Sequence, residues 1–221
     1  MAELRKVFAE TLEELMIENQ DVVYLEADLA GAIGTSHLFH KFPNQALMSD
    51  HGSKYGGYRG WNVSKRKIPF VHSFGTFTSR RCADQTFLSG CYNRANLKII
   101  GSDPGITAEA NGGTHMPFED IAIYRAFPGI KILDVAEPVL LRGMLKKIVE
   151  EYGVFYLRFP RKQAEAYYEE NQEFQIGKGV VVRDGCDATI IASGIEVYES
   201  ILAAEELAKE NISVRVVDMF T

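Results

Sequence analysis

A repeated switch of hydrophobic period constrains this chain most. Short apolar runs of strand length alternate with longer stretches of helical spacing. Leu4, Val7, Phe8, Leu12, Leu15 and Met16 recur three or four residues apart, so residues 2–18 read as a helix. Residues 21–26, 67–72, 97–101, 131–135 and 154–158 read as strands. Residues 79–93, 118–125 and 139–152 read as the helices that connect them. Such alternation demands right-handed crossovers, hence an α/β fold with a mostly parallel sheet flanked by helices. Ligands of these sheets bind beyond the carboxyl ends of the strands. That singles out the loops at 27–36, 73–80 and 102–115.

The polar stretch 161–175 reads as a linker. Beyond it, residues 178–183, 188–192 and 213–219 read as strands and 196–210 as a helix. The expected organisation is one α/β domain over 1–160, the linker at 161–175, and over 176–221 the start of a second, truncated α/β domain, too short to stand alone.

Composition removes several classes. Acidic residues outnumber basic ones 30 to 24, for a net charge of −6, so no broad nucleic-acid footprint is expected. No run approaches the ~18 apolar residues of a spanning helix, so no membrane partner is expected. The acidic, amphipathic N-terminus does not resemble a signal peptide. Cys82, Cys91 and Cys186 are odd in number and lack metal-ligand spacing. They fit a reducing cytoplasm, with no disulfide scaffold and no metal site.

The loop 101–115 is rich in glycine and ends on Thr114-His115, where an imidazole could donate to a substrate oxygen or move a proton. A glycine turn with an incidental His is the plain alternative. Phe74 and Phe77 flank Gly75-Thr76 past a strand, where two rings could sandwich a flat heterocycle or simply pack into the core. Arg80-Arg81 and Arg158-Phe-Pro-Arg161 place guanidinium groups where a phosphate or carboxylate could sit, or where they are merely solvated. Asp28 either serves a site or caps a helix.

Taken in order, these pieces resemble the transketolase family, in particular the C-terminal half that some bacteria encode as a separate subunit. The residues that carry the resemblance are Tyr24-Leu-Glu-Ala-Asp-Leu29, Ile68-Pro-Phe-Val-His-Ser-Phe-Gly-Thr-Phe77, Arg80–Gln85, Gly101–Gly105, Gly112-Gly-Thr-His115, Phe118-Glu-Asp120, Arg158-Phe-Pro-Arg161 and Ala192-Ser-Gly-Ile-Glu-Val197. The resemblance implies a pyrimidine-binding domain that holds one end of thiamine diphosphate, with Mg²⁺ and the diphosphate held by an N-terminal partner subunit. It implies transfer of a two-carbon ketol unit between sugar phosphates, and homodimerisation through the pyrimidine domain. It assigns Phe74, Phe77, Asp28 and Arg80 to the cofactor, His115 to catalysis beside the reacting carbon, and Ser102, Asp103, Asn111 and Arg161 to the substrate. Asn111 stands where many members carry Asp, and Ser102 where many carry His. Synthases of deoxyxylulose phosphate and β subunits of 2-oxo acid dehydrogenases share the implied fold.

One family element is missing. Members carry a Glu on a motif like Asn-Val-Gly-Ile-x-Glu-Ala-Asn-Met, which drives the cofactor's aminopyrimidine tautomer. It should lie between Phe42-Pro43 and Ile68-Pro69. Residues 46–62 instead read Ala-Leu-Met-Ser-Asp-His-Gly-Ser-Lys-Tyr-Gly-Gly-Tyr-Arg-Gly-Trp-Asn, with no Glu. With synonymous third bases chosen freely, the codons of 48–61 read from the second base of the Asp50 codon give Ile-Met-Glu-Ala-Asn-Met-Val-Gly-Ile-Ala-Ala-Gly. Residues 48–62 are therefore expected to be a frameshifted stretch, and the copy is expected to be impaired. A non-catalytic partner-binding fragment is one alternative, and a thiamine enzyme resembling deoxyxylulose phosphate synthase or a 2-oxo acid dehydrogenase β subunit is the other.

Overall fold

A computed structural model describes residues 2–48 and 67–221. The segment 49–66, which carries most of the altered motif, lies outside the described residues.

A two-residue strand β1 (Ala2–Glu3) leads into helix α1 (Leu4–Glu18). Next come β2 (Val22–Glu26), the short helices α2 (Ala30–Ile33) and α3 (Ser36–Lys41), and β3 (Ala46–Met48). Strand β4 (Ile68–Phe74) connects to β5 (Leu97–Ser102) through wide π-type turns at Phe77–Arg81 and Thr86–Tyr92, joined by α4 (Ala83–Gln85). Helix α5 (Asp120–Arg125), strand β6 (Lys131–Asp134), helix α6 (Pro138–Glu150) and strand β7 (Val154–Phe159) follow. Strands β8 (Gln163–Ala164), β9 (Val180–Arg183) and β10 (Ala188–Ala192), helix α7 (Glu196–Ala208) and strand β11 (Val214–Asp218) end the chain.

The main sheet is parallel, in the order β3-β2-β4-β5-β7-β6. Helices α1 and α6 cover one face, with Phe8, Leu12, Leu140, Leu141, Met144 and Ile148 in one core. On the other face Val71, Ile99, Tyr124, Val154 and Tyr156 form a second core. Winding reverses between β2 and β4: β3 lies on one side of them and β5 on the other. That reversal places a crevice at the carboxyl ends of β2 and β4. A smaller sheet, β10-β11-β9, is covered by α7. Among the described residues no helix is long and apolar enough to cross a membrane.

The expected strands and the parallel sheet are present. The stretch 79–93 is helical as expected, but it is wound mostly in wide π-type turns and interrupted at Cys82. Ser79 Oγ and Thr78 Oγ1 donate to the Gly75 carbonyl at 2.6 and 3.1 Å, offering it a partner other than the regular helical ladder. The stretch 161–175, expected as a linker, carries one short strand and one core residue. Gln163–Ala164 pairs antiparallel with β1, and Phe174 is buried in the main core. Strands of two or three residues are too short for periodicity to reveal.

Two carboxyl groups lie buried between the main sheet and the second unit. Glu137 caps α6, its Oε2 accepting the Leu140 N–H at 2.6 Å, while Oε1 has no partner. Burial pushes its carboxyl up to about 7. Asp218 accepts from Tyr168 Oη at 2.8 Å, and burial pushes it up to about 6. Both groups hold protons in the folded chain that the unfolded chain has released. Their contribution to stability is complete below about pH 4 and is lost as pH rises through 6 to 7, for Glu137 on the order of 3 kcal/mol. The melting temperature is expected to fall between about pH 5 and pH 8, and Glu137→Gln should flatten that slope. An unchanged slope in the Gln variant, followed by calorimetry, would contradict this account of Glu137.

Candidate active site

The site is assembled from loops beyond β2, β4, β5 and β7. Phe74 ends β4 and Phe77 opens the first wide turn, which brings their ring centroids to 5.9 Å. Gly75 between them permits close approach: a Cβ there would meet Pro117 Cγ at 3.1 Å and Tyr156 Oη at 3.2 Å. Two short 3₁₀ turns, Glu109–Asn111 and Gly113–His115, hinge on Gly112 at φ +74° and carry the imidazole back over the sheet. The His115 ring stands edge-on to Phe74 and Phe77 at 5.4 and 5.2 Å. Its Nδ1 lies 2.9 Å from Thr114 Oγ1, and Thr76 Oγ1 donates to the Thr114 carbonyl at 3.4 Å.

Arg161 closes another side. Its guanidinium lies 4.8 Å from the centre of the Phe74 ring, in cation–π contact. Asp103, held at φ +56°, accepts from Arg161 Nε at 2.6 Å and from its backbone N–H at 3.2 Å. Arg161 Nη1 reaches the Ala32 carbonyl at 3.4 Å. Arg81 stacks on Phe77 at 4.6 Å. Arg80 pairs with Glu119, which raises the guanidinium and lowers the carboxyl from their ordinary values.

The structure thus brings Phe74, Phe77, His115, Asp103 and Arg161 together. Asn111 is exposed on its 3₁₀ turn, and Asp28 is exposed at the carboxyl end of β2 with φ +61°. Ser102 is buried and bonded to His72. Arg158 does not join the group: Asp120 and Asp134 hold it. Sequence reasoning did not assign Glu26, His72 or Arg5 to a site. The backbone N–H of Arg5 donates to the Arg161 carbonyl at 3.2 Å, so the start of α1 lies beside the site. The His72 signal was present, as an imidazole in an otherwise apolar strand.

Two phenyl rings tilted 55° to each other, with an imidazole edge-on to both, give an apolar cluster whose chemistry suits the aminopyrimidine end of thiamine diphosphate. Among the described residues, no group of three or more His, Cys, Asp or Glu side chains could hold a metal ion.

In a doubly wound sheet, ligands bind beyond the carboxyl ends of the strands near the switch point, where this cluster stands. The chain matches family models in two places: "Transketolase, pyrimidine binding domain" over residues 1–165 and "Transketolase, C-terminal domain" over 177–221. It is 40% identical over 99% of its length to the 6-deoxy-6-sulfo-D-fructose transketolase subunit SqwH of Clostridium sp., covering 68% of that protein. It is 35% identical to a putative transketolase C-terminal section of Methanocaldococcus jannaschii, covering 70% of it. A solved split-gene transketolase, an inactive β4 tetramer, superposes with a TM-score of 0.87 at 30% identity, over 99% of this chain and 71% of that one. The chain belongs to the transketolase family.

Proposed function

We propose that this chain is the pyrimidine-side, C-terminal subunit of a split transketolase. It transfers a two-carbon ketol unit between sugar phosphates and shares thiamine diphosphate with an N-terminal partner subunit that holds Mg²⁺. The observation that carries the reading is similarity over 99% of this chain to proteins named as subunits or sections, joined to a cluster of two phenyl rings, an imidazole and a guanidinium beyond the strand ends.

Each residue has a task in this reading. Phe74 and Phe77 pack against the flat ring of the cofactor, with Arg80 and Asp28 at the rim. Bound thiamine diphosphate supplies the carbon nucleophile that carries the ketol unit. His115 holds or moves a proton at the substrate oxygens beside the reacting carbon. Arg161, oriented by Asp103, takes the anionic end of the sugar, and a guanidinium fork suits a tetrahedral oxyanion. Asn111, exposed on its turn, faces the substrate side, whereas Ser102, expected from the resemblance to bind substrate, is buried against His72 and acts only through its neighbour Asp103. The division into 1–160, 161–175 and 176–221, the cytoplasmic location and homodimerisation through the first domain belong to the same proposal.

The copy is impaired in this reading, because residues 46–62 contain no Glu. Losing a general acid–base contact of that kind costs roughly 10²–10⁴-fold. The missing carboxylate also favours a second reading, a partner-binding fragment without activity. The test is ketol transfer in a reconstituted mixture of the 221-residue chain and an N-terminal subunit. Turnover near background is expected, and turnover at the level of an intact split enzyme would overturn the impairment.

A further inference from the structure

The crevice between β2 and β4 contains a buried hydrogen-bonded chain. Glu26 ends β2, His72 lies on β4 and Ser102 ends β5. His72 Nδ1 is 2.7 Å from Glu26 Oε2, and its Nε2 is 3.0 Å from Ser102 Oγ. Glu26, His72 and Ser102 are at most 1% exposed, so no substrate reaches them. Tyr24 donates to the same Glu26 oxygen and meets Thr35 Oγ1 at 3.1 Å. The other oxygen, Oε1, accepts the N–H groups of Ala27 and Leu29 at 2.9 and 3.2 Å. Burying an imidazole and a carboxylate is costly, and apolar residues of similar volume often serve stability as well. What the polar chain provides is fixed placement of the strand ends.

Both ends of the chain lead to Arg161. Ser102 precedes Asp103, which binds Arg161 through Nε and the backbone. Glu26 ties down the start of the loop that carries Ala32, and Tyr24 links Glu26 to Thr35 at the far end of that loop. The Ala32 carbonyl is the second contact of the Arg161 guanidinium. Phe74, on which Arg161 stacks, lies two residues beyond His72 on β4. Every element that touches the guanidinium is therefore fixed within a few bonds of His72.

We propose that His72 is a positioning residue for the anion grip. Through Ser102 it sets Asp103, through Glu26 it sets the loop at Ala32, and together these aim the Arg161 fork at the anionic end of the substrate. The inference rests on the reading of Arg161 as that grip.

Ribose 5-phosphate titrated calorimetrically into the complex of the 221-residue chain with an N-terminal transketolase subunit tests it, with the His72 ring nitrogens followed by ¹⁵N NMR. Binding is expected in the unsubstituted chain, with a shift of the His72 signals, and both should vanish in Arg161→Ala. His72→Phe should weaken binding about tenfold, the scale of a small misplacement of a positioning group. His72→Gln, whose amide reaches the Nε2 position, should recover most of the loss. Ser102→Ala removes a single hydroxyl and should weaken binding several-fold, which decides the matter if His72→Phe fails to fold. Folded Ser102→Ala or His72→Phe chains that bind within twofold of the parent, while Arg161→Ala does not bind, would overturn the proposal. Equal binding by Arg161→Ala, or none by the parent, would instead overturn the reading of Arg161 and the proposal with it.

Discussion

Rewriting residues 48–62 in the alternate frame, so that the segment again contains Glu-Ala-Asn-Met, is expected to raise ketol transfer by roughly 10²–10⁴-fold when the chain is mixed with an N-terminal subunit. The physical ground is specific. Phe74, Phe77 and His115 are already packed against one another, and Arg161 is already held by Asp103. What this half lacks, in the proposed reading, is the carboxylate that governs the proton on the cofactor ring. Restoring one acid–base group to an otherwise complete wall should recover most of its contribution, because the other groups need no rearrangement. A rewritten chain that folds, binds the partner and turns over no faster than the original would contradict this account of the segment. Sequencing the coding DNA around Met48 is an independent check on the frame.

Arg158→Met is expected to destabilise the fold by about 3–5 kcal/mol, the usual consequence of removing one partner from a buried ion pair. Arg158 lies between two carboxylates, 2.9 Å from Asp120 Oδ1 and 2.8 Å from Asp134 Oδ2. Asp120 is fully buried and also accepts from Tyr156 Oη at 2.7 Å. Asp134 also takes the Ser193 hydroxyl at 2.7 Å, which joins the main sheet to the turn after β10. Removing the guanidinium leaves two acids facing a low-dielectric interior with no cation between them. Arg158→Lys keeps the charge but loses the two-sided fork, so it should fall between the parent and the Met variant. Urea unfolding measures both. A loss under about 1 kcal/mol for Arg158→Met would show that water or rearrangement replaces the pair.

The class of fold was legible because β4, β5 and β7 are nearly continuous apolar runs, as strands buried on both faces must be. Phe74, Phe77 and His115 were legible as aromatic and imidazole groups in loops past strand ends. Residue pattern alone does not separate Arg158, inside β7, from Arg161 just beyond it; only the family resemblance singles out Arg161. Their partners give the physical difference: Asp120 and Asp134 neutralise one, while Asp103 orients the other. His72 stood out as an imidazole in an apolar strand, but the Glu26–His72–Ser102 chain was not legible as a unit. Its members lie 46 and 30 residues apart, and each sits within or at the end of a strand whose apolar neighbours suggest only core. The wide turns at Phe77–Arg81 were missed because hydroxyl-to-carbonyl bonds within a turn leave the apolar pattern almost unchanged.

In the proposed reading this chain forms one wall of a cofactor site completed by another subunit. The decisive experiment is calorimetric titration of thiamine diphosphate with Mg²⁺, first into the chain alone and then into its complex with an N-terminal transketolase subunit. The predicted result is no measurable binding to the chain alone and saturable binding to the complex, weakened by Phe77→Ala. Tight binding to the isolated chain, or binding to the complex that is indifferent to Phe77→Ala, would contradict it.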